Sequence, residues 1–251
     1  MRVAVAGGTG TAGSYALASA KANGHETVPI SRATGVDLVT GSGLEAALEG
    51  VDVIIDAAGQ RTWDQRKAEA FFTASARRLQ QVGSQKGARM LVVLSIVGVD
   101  RVPLGYYKAK LAHEAAALEG PLPVAVVRSA QFYELAAQML SRTRFGPVAL
   151  VPRMRSQPVA ARTAGEVLAD IATTSGGPSQ VELAGPEQHY MPDVAQFVLR
   201  RSGKRTVVFP FSIRGEAGRA LQGGALLPGP GARIAGPTLD EWLESEDSLY
   251  L

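Results

Sequence analysis

The chain has 251 residues, 46% of them hydrophobic and 20% charged, which is enough to bury a full core and excludes a disordered or collagen-like chain. With no cysteine it has no disulfide, thiolate nucleophile or Cys-ligated metal centre, and three scattered histidines (His25, His113, His189) make no metal site expected. Twenty-six Lys and Arg against 23 Asp and Glu give +3, but five acids (Asp240, Glu241, Glu244, Glu246, Asp247) crowd the last twelve residues, so residues 1–239 hold 26 bases and 18 acids, a net +8.

Residues 2–6, RVAVA, predict a buried strand that ends at Gly7-Gly8. A helix is predicted over 11–22, stopped by Asn23-Gly24, and a second strand over 25–30. GVDL (35–38) reads as a brief third strand, 42–49 as a short helix, 51–56 as a fourth strand and 64–82 as a long amphipathic helix. The alternation continues with a strand at 88–95, a helix at 105–118, a strand at 122–128 and a helix at 131–141. Strands that are apolar on both faces and alternate with helices require a parallel sheet covered on two sides.

From about residue 145 the pattern loosens. Prolines punctuate short strands (148–151, 180–184, 206–209) and helices (163–174, 191–202, 213–221), and a Gly/Pro-rich loop at 223–237 precedes a last helix at 238–244. This part reads as a cap over the carboxyl ends of the sheet, where open α/β sheets bind ligands.

The first strand runs into Gly7-Gly8-Thr9-Gly10-Thr11-Ala12-Gly13, at the start of the first helix. G-x-G-x-x-G in that setting is a dinucleotide-binding turn: its glycines let a pyrophosphate approach the backbone, and free N–H groups at the helix start bind the anion. A mononucleotide P-loop needs Lys after the last glycine, where this chain has Ser14. After the second strand stand Ser31-Arg32 instead of the acid that bonds a ribose 2′-hydroxyl. Arg can clamp a 2′-phosphate that an acid would repel, so NADP(H) is expected over NAD(H).

Tyr106 and Lys110 are i and i+4 on a predicted helix, eleven residues beyond Ser95 at the end of a strand. An ammonium beside a phenol stabilises the phenolate, which lets Tyr106 protonate a carbonyl oxygen while Ser95 hydrogen-bonds the same oxygen. Tyr107 has Leu111 at i+4 and is the weaker candidate. His113, three residues after Lys110, either tunes this site or simply packs. No G-x-S-x-G elbow is present, which disfavours a Ser/His/Asp hydrolase.

GGTGTAG, Asp37-Leu38, Ala57-Ala58-Gly59, LSIVG (94–98) and YYKAK (106–110), in this order, resemble the short-chain dehydrogenase/reductase superfamily and, within it, the atypical NmrA-like branch of NAD(P)-binding proteins. The resemblance implies a Rossmann-type, doubly wound α/β fold with an NAD(P)-binding core over 1–145 and a substrate-binding region over 146–251 packed on the same domain. It implies that Asp37-Leu38 lies against the adenine, that Ala57, Ala58 and Gly59 follow the adenosine ribose, and that Ser129-Ala130-Gln131-Phe132 passes beside the nicotinamide. Ser95, Tyr106 and Lys110 become the catalytic set. The superfamily's usual proton relay includes an asparagine before the serine strand, yet the only asparagine here is Asn23. The chain is also short for the branch that epimerises or dehydrates nucleotide sugars.

Arg142, Arg144, Arg153, Arg155 and Arg162 span a stretch without acids and read either as a rim steering an anionic ligand or as a solvated lid paired with acids elsewhere. Trp63, Phe71, Phe72, Phe132 and Tyr133 are candidate pocket residues, with core packing favoured for Phe71 and Phe72. The remaining bases are dispersed, so nucleic acid is not an expected partner, and short apolar runs such as Leu91–Leu94 predict neither an export signal nor a membrane span. The expectation is a cytoplasmic NADP(H)-dependent reductase of a small carbonyl or quinone-like substrate, acting alone or as a homodimer. A non-catalytic NADP(H)-binding redox sensor is the alternative.

Overall fold

The computed structural model describes residues 1–60, 62, 64–202 and 206–248. Its elements begin β1 (Arg2–Ala6), α1 (Thr11–Ala22), β2 (Glu26–Ile30), α2 (Leu44–Ala47), β3 (Val53–Asp56), α3 (Gln65–Gln85), β4 (Met90–Ile96), α4 (Gly105–Leu118) and β5 (Val124–Ser129). They continue with α5 (Tyr133–Thr143), β6 (Arg144–Phe145), β7 (Val148–Pro152), β8 (Arg155–Ser156), α6 (Ala161–Thr173), β9 (Gln180–Ala184), β10 (His189–Tyr190) and α7 (Met191–Arg201). The last are β11 (Val207–Phe211), α8 (Gly215–Gln222), β12 (Arg233–Ile234) and α9 (Leu239–Glu244).

The large sheet has seven strands in the order β12-β9-β5-β4-β3-β1-β2, with helices between them in sequence. This is the α/β, Rossmann-like architecture that the alternating pattern requires. β1 pairs in parallel with β2 on one side and β3 on the other, aligning Ala6 with Ile30 and with Asp56. Asp56 in turn aligns with Val93 of β4. The order therefore reverses at β1 and β3, and such a switch point leaves a crevice at the carboxyl ends of the two strands.

By contacts the chain falls into two compact units, Met1–Ile96 with Leu104–Arg128 and Arg162–Val181, and Val97–Pro103 with Ser129–Ala161 and Glu182–Leu251. In the first, every residue of β3 and all but the first of β1 are buried. The buried side of α1 is made of small residues (Ala12, Gly13, Ala16, Ala20). α3 packs on α4, and Gln80 clamps this layer, its amide donating to Ala117 O at 2.6 Å while its carbonyl accepts from Leu122 N at 2.7 Å.

In the second unit, β6, β7 and β11 form a three-stranded sheet whose outer residues Phe145, Val207, Phe209 and Phe211 are exposed. Tyr133 is buried against Trp242, ring centroids 5.1 Å apart. None of the described helices is long and apolar enough to cross a membrane.

The expected strand at 35–38 does not form. Gly35, at φ 81°, closes a short 3-10 turn over Arg32–Thr34, and Asp37 Oδ1 accepts the N–H groups of Val39 (2.7 Å) and Thr40 (2.9 Å). An aspartate that satisfies the backbone donors two and three residues on offers the chain a turn in place of a ladder, and Val36 and Leu38 are buried from that turn. The sheet consequently ends at β2. Inside the 223–237 loop, Arg233–Ile234 pairs with Leu183–Ala184 as β12.

Candidate active site

The glycine turn follows β1 at the switch point. Gly7 sits at φ 73°, a left-handed conformation that favours glycine, and a Cβ there would lie 2.6 Å from Ala57 O. Its N–H donates to Ile30 O at 2.9 Å, and its carbonyl accepts from Gly10 N at 2.8 Å. A Cβ on Gly13 would collide with the carbonyl of Gly7, so this turn and the first turn of α1 touch backbone to backbone. Gly10 is the N-cap of α1 and has no capping side chain, nor does any acid lie in the first turn. Thr9 and Gly10 beside this helix start are exposed, and uncapped helix N-termini without acids suit an anion such as a pyrophosphate.

Ser31 and Arg32 leave the end of β2 on the same edge. Ser31 caps the short turn, its N–H donating to Thr34 Oγ1 at 3.0 Å, and Arg32 is exposed. The Thr40 and Val39 N–H groups hold Asp37 below the usual carboxylate range, helped by the positive charge of Arg32. Asp37 is thus already engaged by its own loop, and Leu38 beside it is buried. On the other side of β1, Ala57 N donates to Ala6 O at 3.0 Å, and Ala58 N donates to Asp56 Oδ1 at 3.0 Å. Gly59 is exposed, with open space where a Cβ would stand.

Lys110 and Tyr106 both lie against the Phe72 ring, and Lys110 reaches the residue before Ser95. Lys110 Nζ donates to Leu94 O at 2.6 Å, tying α4 to the strand residue that precedes Ser95. Ser95 is 2% exposed, and its Oγ has no hydrogen-bond partner among the described residues. A buried hydroxyl left unsatisfied costs about 1–3 kcal/mol, and Ser75 and Ser156 carry the same cost elsewhere among the described residues. The buried ring of Phe72 lies 4.6 Å from Lys110 Nζ and makes an edge contact with Tyr106 at 5.8 Å. Tyr106 itself is 37% exposed, so one end of the set is wet and the other dry.

Behind the lysine runs a buried polar chain. Lys110 Nζ is 2.9 Å from His113 Nδ1, and His113 Nε2 is 2.9 Å from Asp56 Oδ2; neither His113 nor Asp56 has any solvent exposure. An ammonium can only donate, so Nδ1 accepts and the imidazole proton sits on Nε2, donating to the carboxylate. Burial pushes His113 down, and the neighbouring Lys110 charge adds to this, so the ring is neutral. Burial pushes Asp56 up, but His113, Lys110 and the Ala58 N–H outweigh it and keep the carboxylate ionised. Burial lowers Lys110 to about 8, against the opposing pull of Asp56 and Glu114. Glu114 is held by Arg128 in a bidentate pair at 3.0 and 2.7 Å. The expectation that His113 acts on the lysine or merely packs resolves into direct contact. Asp56 escapes the sequence reading because it ends a strand whose other residues are all apolar; an acid at the end of a buried strand was the available signal.

The remaining predicted residues lie in the second unit or outside this cluster. Ser129 and Ala130 are buried, Ala130 N donating to Leu183 O at 2.7 Å. Gln131 O accepts from Val159 N at 3.0 Å, and Phe132 caps α5. The structure therefore groups the glycine turn, the 57–59 segment and the Ser/Tyr/Lys set in one unit, with 129–132 in the other. Arg155 Nη2 donates to Gln188 Oε1 at 2.8 Å, and the Arg162 guanidinium lies 4.8 Å over the Tyr15 ring. Phe72 is core, and Trp63 lies outside the described residues.

No protein-family model matches the chain, and no curated protein matches it in sequence. Solved structures match over its whole length. A dTDP-4-dehydrorhamnose reductase from Clostridium acetobutylicum aligns over 100% of both chains at 15% identity and a TM-score of 0.74. A short-chain dehydrogenase/reductase superfamily protein from Agrobacterium tumefaciens, with bound NAD, aligns over 99% of this chain and 96% of its own at 18% identity and a TM-score of 0.69. An NADPH-dependent quinone oxidoreductase from Escherichia coli aligns over 96% and 98% at 16% identity and a TM-score of 0.66. At these identities the likeness is one of fold, the Rossmann-like fold of NAD(P)-binding short-chain dehydrogenases and reductases.

Proposed function

We propose that this protein is an NADP(H)-dependent oxidoreductase of the NmrA-like kind that reduces a small carbonyl or quinone-like substrate. The observation that supports the reading best is the Lys110 to Leu94 O hydrogen bond, which ties α4 to the strand residue before Ser95. The neighbouring folds include reductases of a nucleotide-linked keto sugar and of quinones, which supports the reaction class.

Residues 7–13 would hold the pyrophosphate through backbone N–H groups, and Ser31 with Arg32 would take the 2′-phosphate. Asp37-Leu38 would lie against the adenine and the segment 57–59 would follow the adenosine ribose. A bound nicotinamide supplies the reducing equivalents. Ser95 Oγ, buried and otherwise unmatched, orients the substrate oxygen by a hydrogen bond. Tyr106 donates its phenolic proton to that oxygen. The Lys110 ammonium on the same face of α4 stabilises the phenolate left behind. Glycine-rich loops and prolines build the substrate-binding half, and its expected ligand is small. We further expect action in the cytoplasm without nucleic acid or membrane, alone or as a homodimer.

The test is NADPH oxidation against a panel of aldehydes, ketones and quinones, repeated with Tyr106→Phe. Loss of the proton donor should lower kcat by roughly 10²-fold or more, with NADPH affinity changed little. Turnover equal in both proteins refutes the assignment, and tight cofactor binding with no turnover of any substrate favours the redox-sensor reading.

A further inference from the structure

We infer that Asp56 and His113 are a positioning pair for Lys110. The inference rests on the proposed reaction, and it stands on geometry. Lys110 has three N–H bonds. One goes to Leu94 O and a second to His113 Nδ1, at 2.6 and 2.9 Å, so two of the three are fixed by acceptors on β4 and α4. His113 accepts at Nδ1 only because Asp56 holds the ring proton on Nε2. Asp56 is itself fixed by the Ala58 N–H, in the segment after β3 that follows the glycine turn's strand in the sheet. Lys110 thus donates to His113 and His113 to Asp56, whose other oxygen accepts the Ala58 N–H, so the hydrogen bonds converge on the carboxylate and each donor faces one acceptor.

The groups around the lysine account for its charge state. From β3 it faces Asp56; on α4 it has Tyr106, His113 and Glu114, the last engaged by Arg128 of β5; from α3 it meets only the uncharged ring of Phe72. Two carboxylates, one of them already paired with a guanidinium, oppose the dehydration of the ammonium. Asp56 is the unshared one. Without it, Lys110 loses its proton at lower pH, and Tyr106 loses the charge that stabilises its phenolate. Without the His113 acceptor, the ammonium keeps its charge but not its direction.

The experiment has an arm that needs no substrate. In protein carrying isotope-labelled lysine and histidine, NMR should find His113 as the neutral Nε2–H tautomer at neutral pH. Lys110, assigned with Lys110→Met, should titrate near 8. In Asp56→Asn the Lys110 midpoint should fall by roughly one pH unit or more. An Nδ1–H tautomer or an imidazolium in the wild type overturns the inference, as does a Lys110 midpoint unmoved in Asp56→Asn. The tautomer reading uses the unmutated protein and stands even if Asp56→Asn does not fold.

The second arm follows kcat against pH with NADPH and the best substrate of the panel. The alkaline fall in kcat should move to lower pH in Asp56→Asn by the same interval as the lysine midpoint. His113→Leu should lower kcat about tenfold at unchanged KM, with His113→Asn, whose carbonyl can replace Nδ1 as acceptor, recovering part of it. An alkaline limb that stays in place while the lysine midpoint moves overturns the positioning role alone. Turnover indifferent to Tyr106→Phe overturns the proposed reaction instead.

Discussion

Glu134 is a carboxyl group in a dry position, and its ionisation has a measurable signature. It is 5% exposed, and both its oxygens accept the Ala161 N–H at the start of α6, at 3.2 and 3.1 Å. Burial pushes it up to about 7 from 4.5, and the Asp247 carboxylate adds to the rise while the Ala161 N–H opposes it. Between pH 4.5 and 7 the folded state therefore binds the proton that the unfolded state has released, so stability falls as pH rises through this window. The shift corresponds to about 3 kcal/mol. Denaturant unfolding at a series of pH values should show this decline in the wild type and a flatter profile in Glu134→Gln; equal slopes would contradict it. The same scale decides what the sequence could reveal. Tyr106, Lys110 and Ser95 are legible because their spacing and order carry the chemistry. Asp56 is not, because its role depends on a helix 57 residues downstream folding over it.

The elements fall close to their predicted bounds where local chemistry marks them. α4 occupies 105–118 as expected, and α3, expected over 64–82, begins at Gln65 because Asp64 caps it, accepting the N–H groups of Arg66 (2.9 Å) and Lys67 (3.2 Å). The 35–38 segment defeats pattern reading, since its apolar alternation is that of a strand but Asp37 spends its carboxylate on the next turn. β6, β8, β10 and β12, two residues each, have no pattern of their own and exist only through their partners. The β1–turn–α1 unit carries the most exact requirement. Gly13→Val would drive a branched side chain into the Gly7 carbonyl, so the turn must open. NADPH affinity should drop by roughly tenfold or more, and thermal stability with it, since core overpacking costs about 1–3 kcal/mol. Wild-type affinity in Gly13→Val would show that the turn does not hold the cofactor.

Across the molecule, the parallel sheet and its switch point follow from the alternation of buried strands and helices, and they place the glycine turn, Arg32, Ala57 and Ser95 along one edge. The net +8 of residues 1–239 favours an anionic ligand at long range. Residues 146–251 are less legible because glycine and proline set their path turn by turn. Nothing in such a sequence states which side chains converge. What the whole account depends on is a dinucleotide bound by the backbone at the start of α1. Calorimetric titration of the purified protein with NADPH, and then with NADH, tests this directly. One site per chain, with NADPH bound roughly tenfold more tightly than NADH or better, is the predicted result; no binding of either nucleotide would contradict the account.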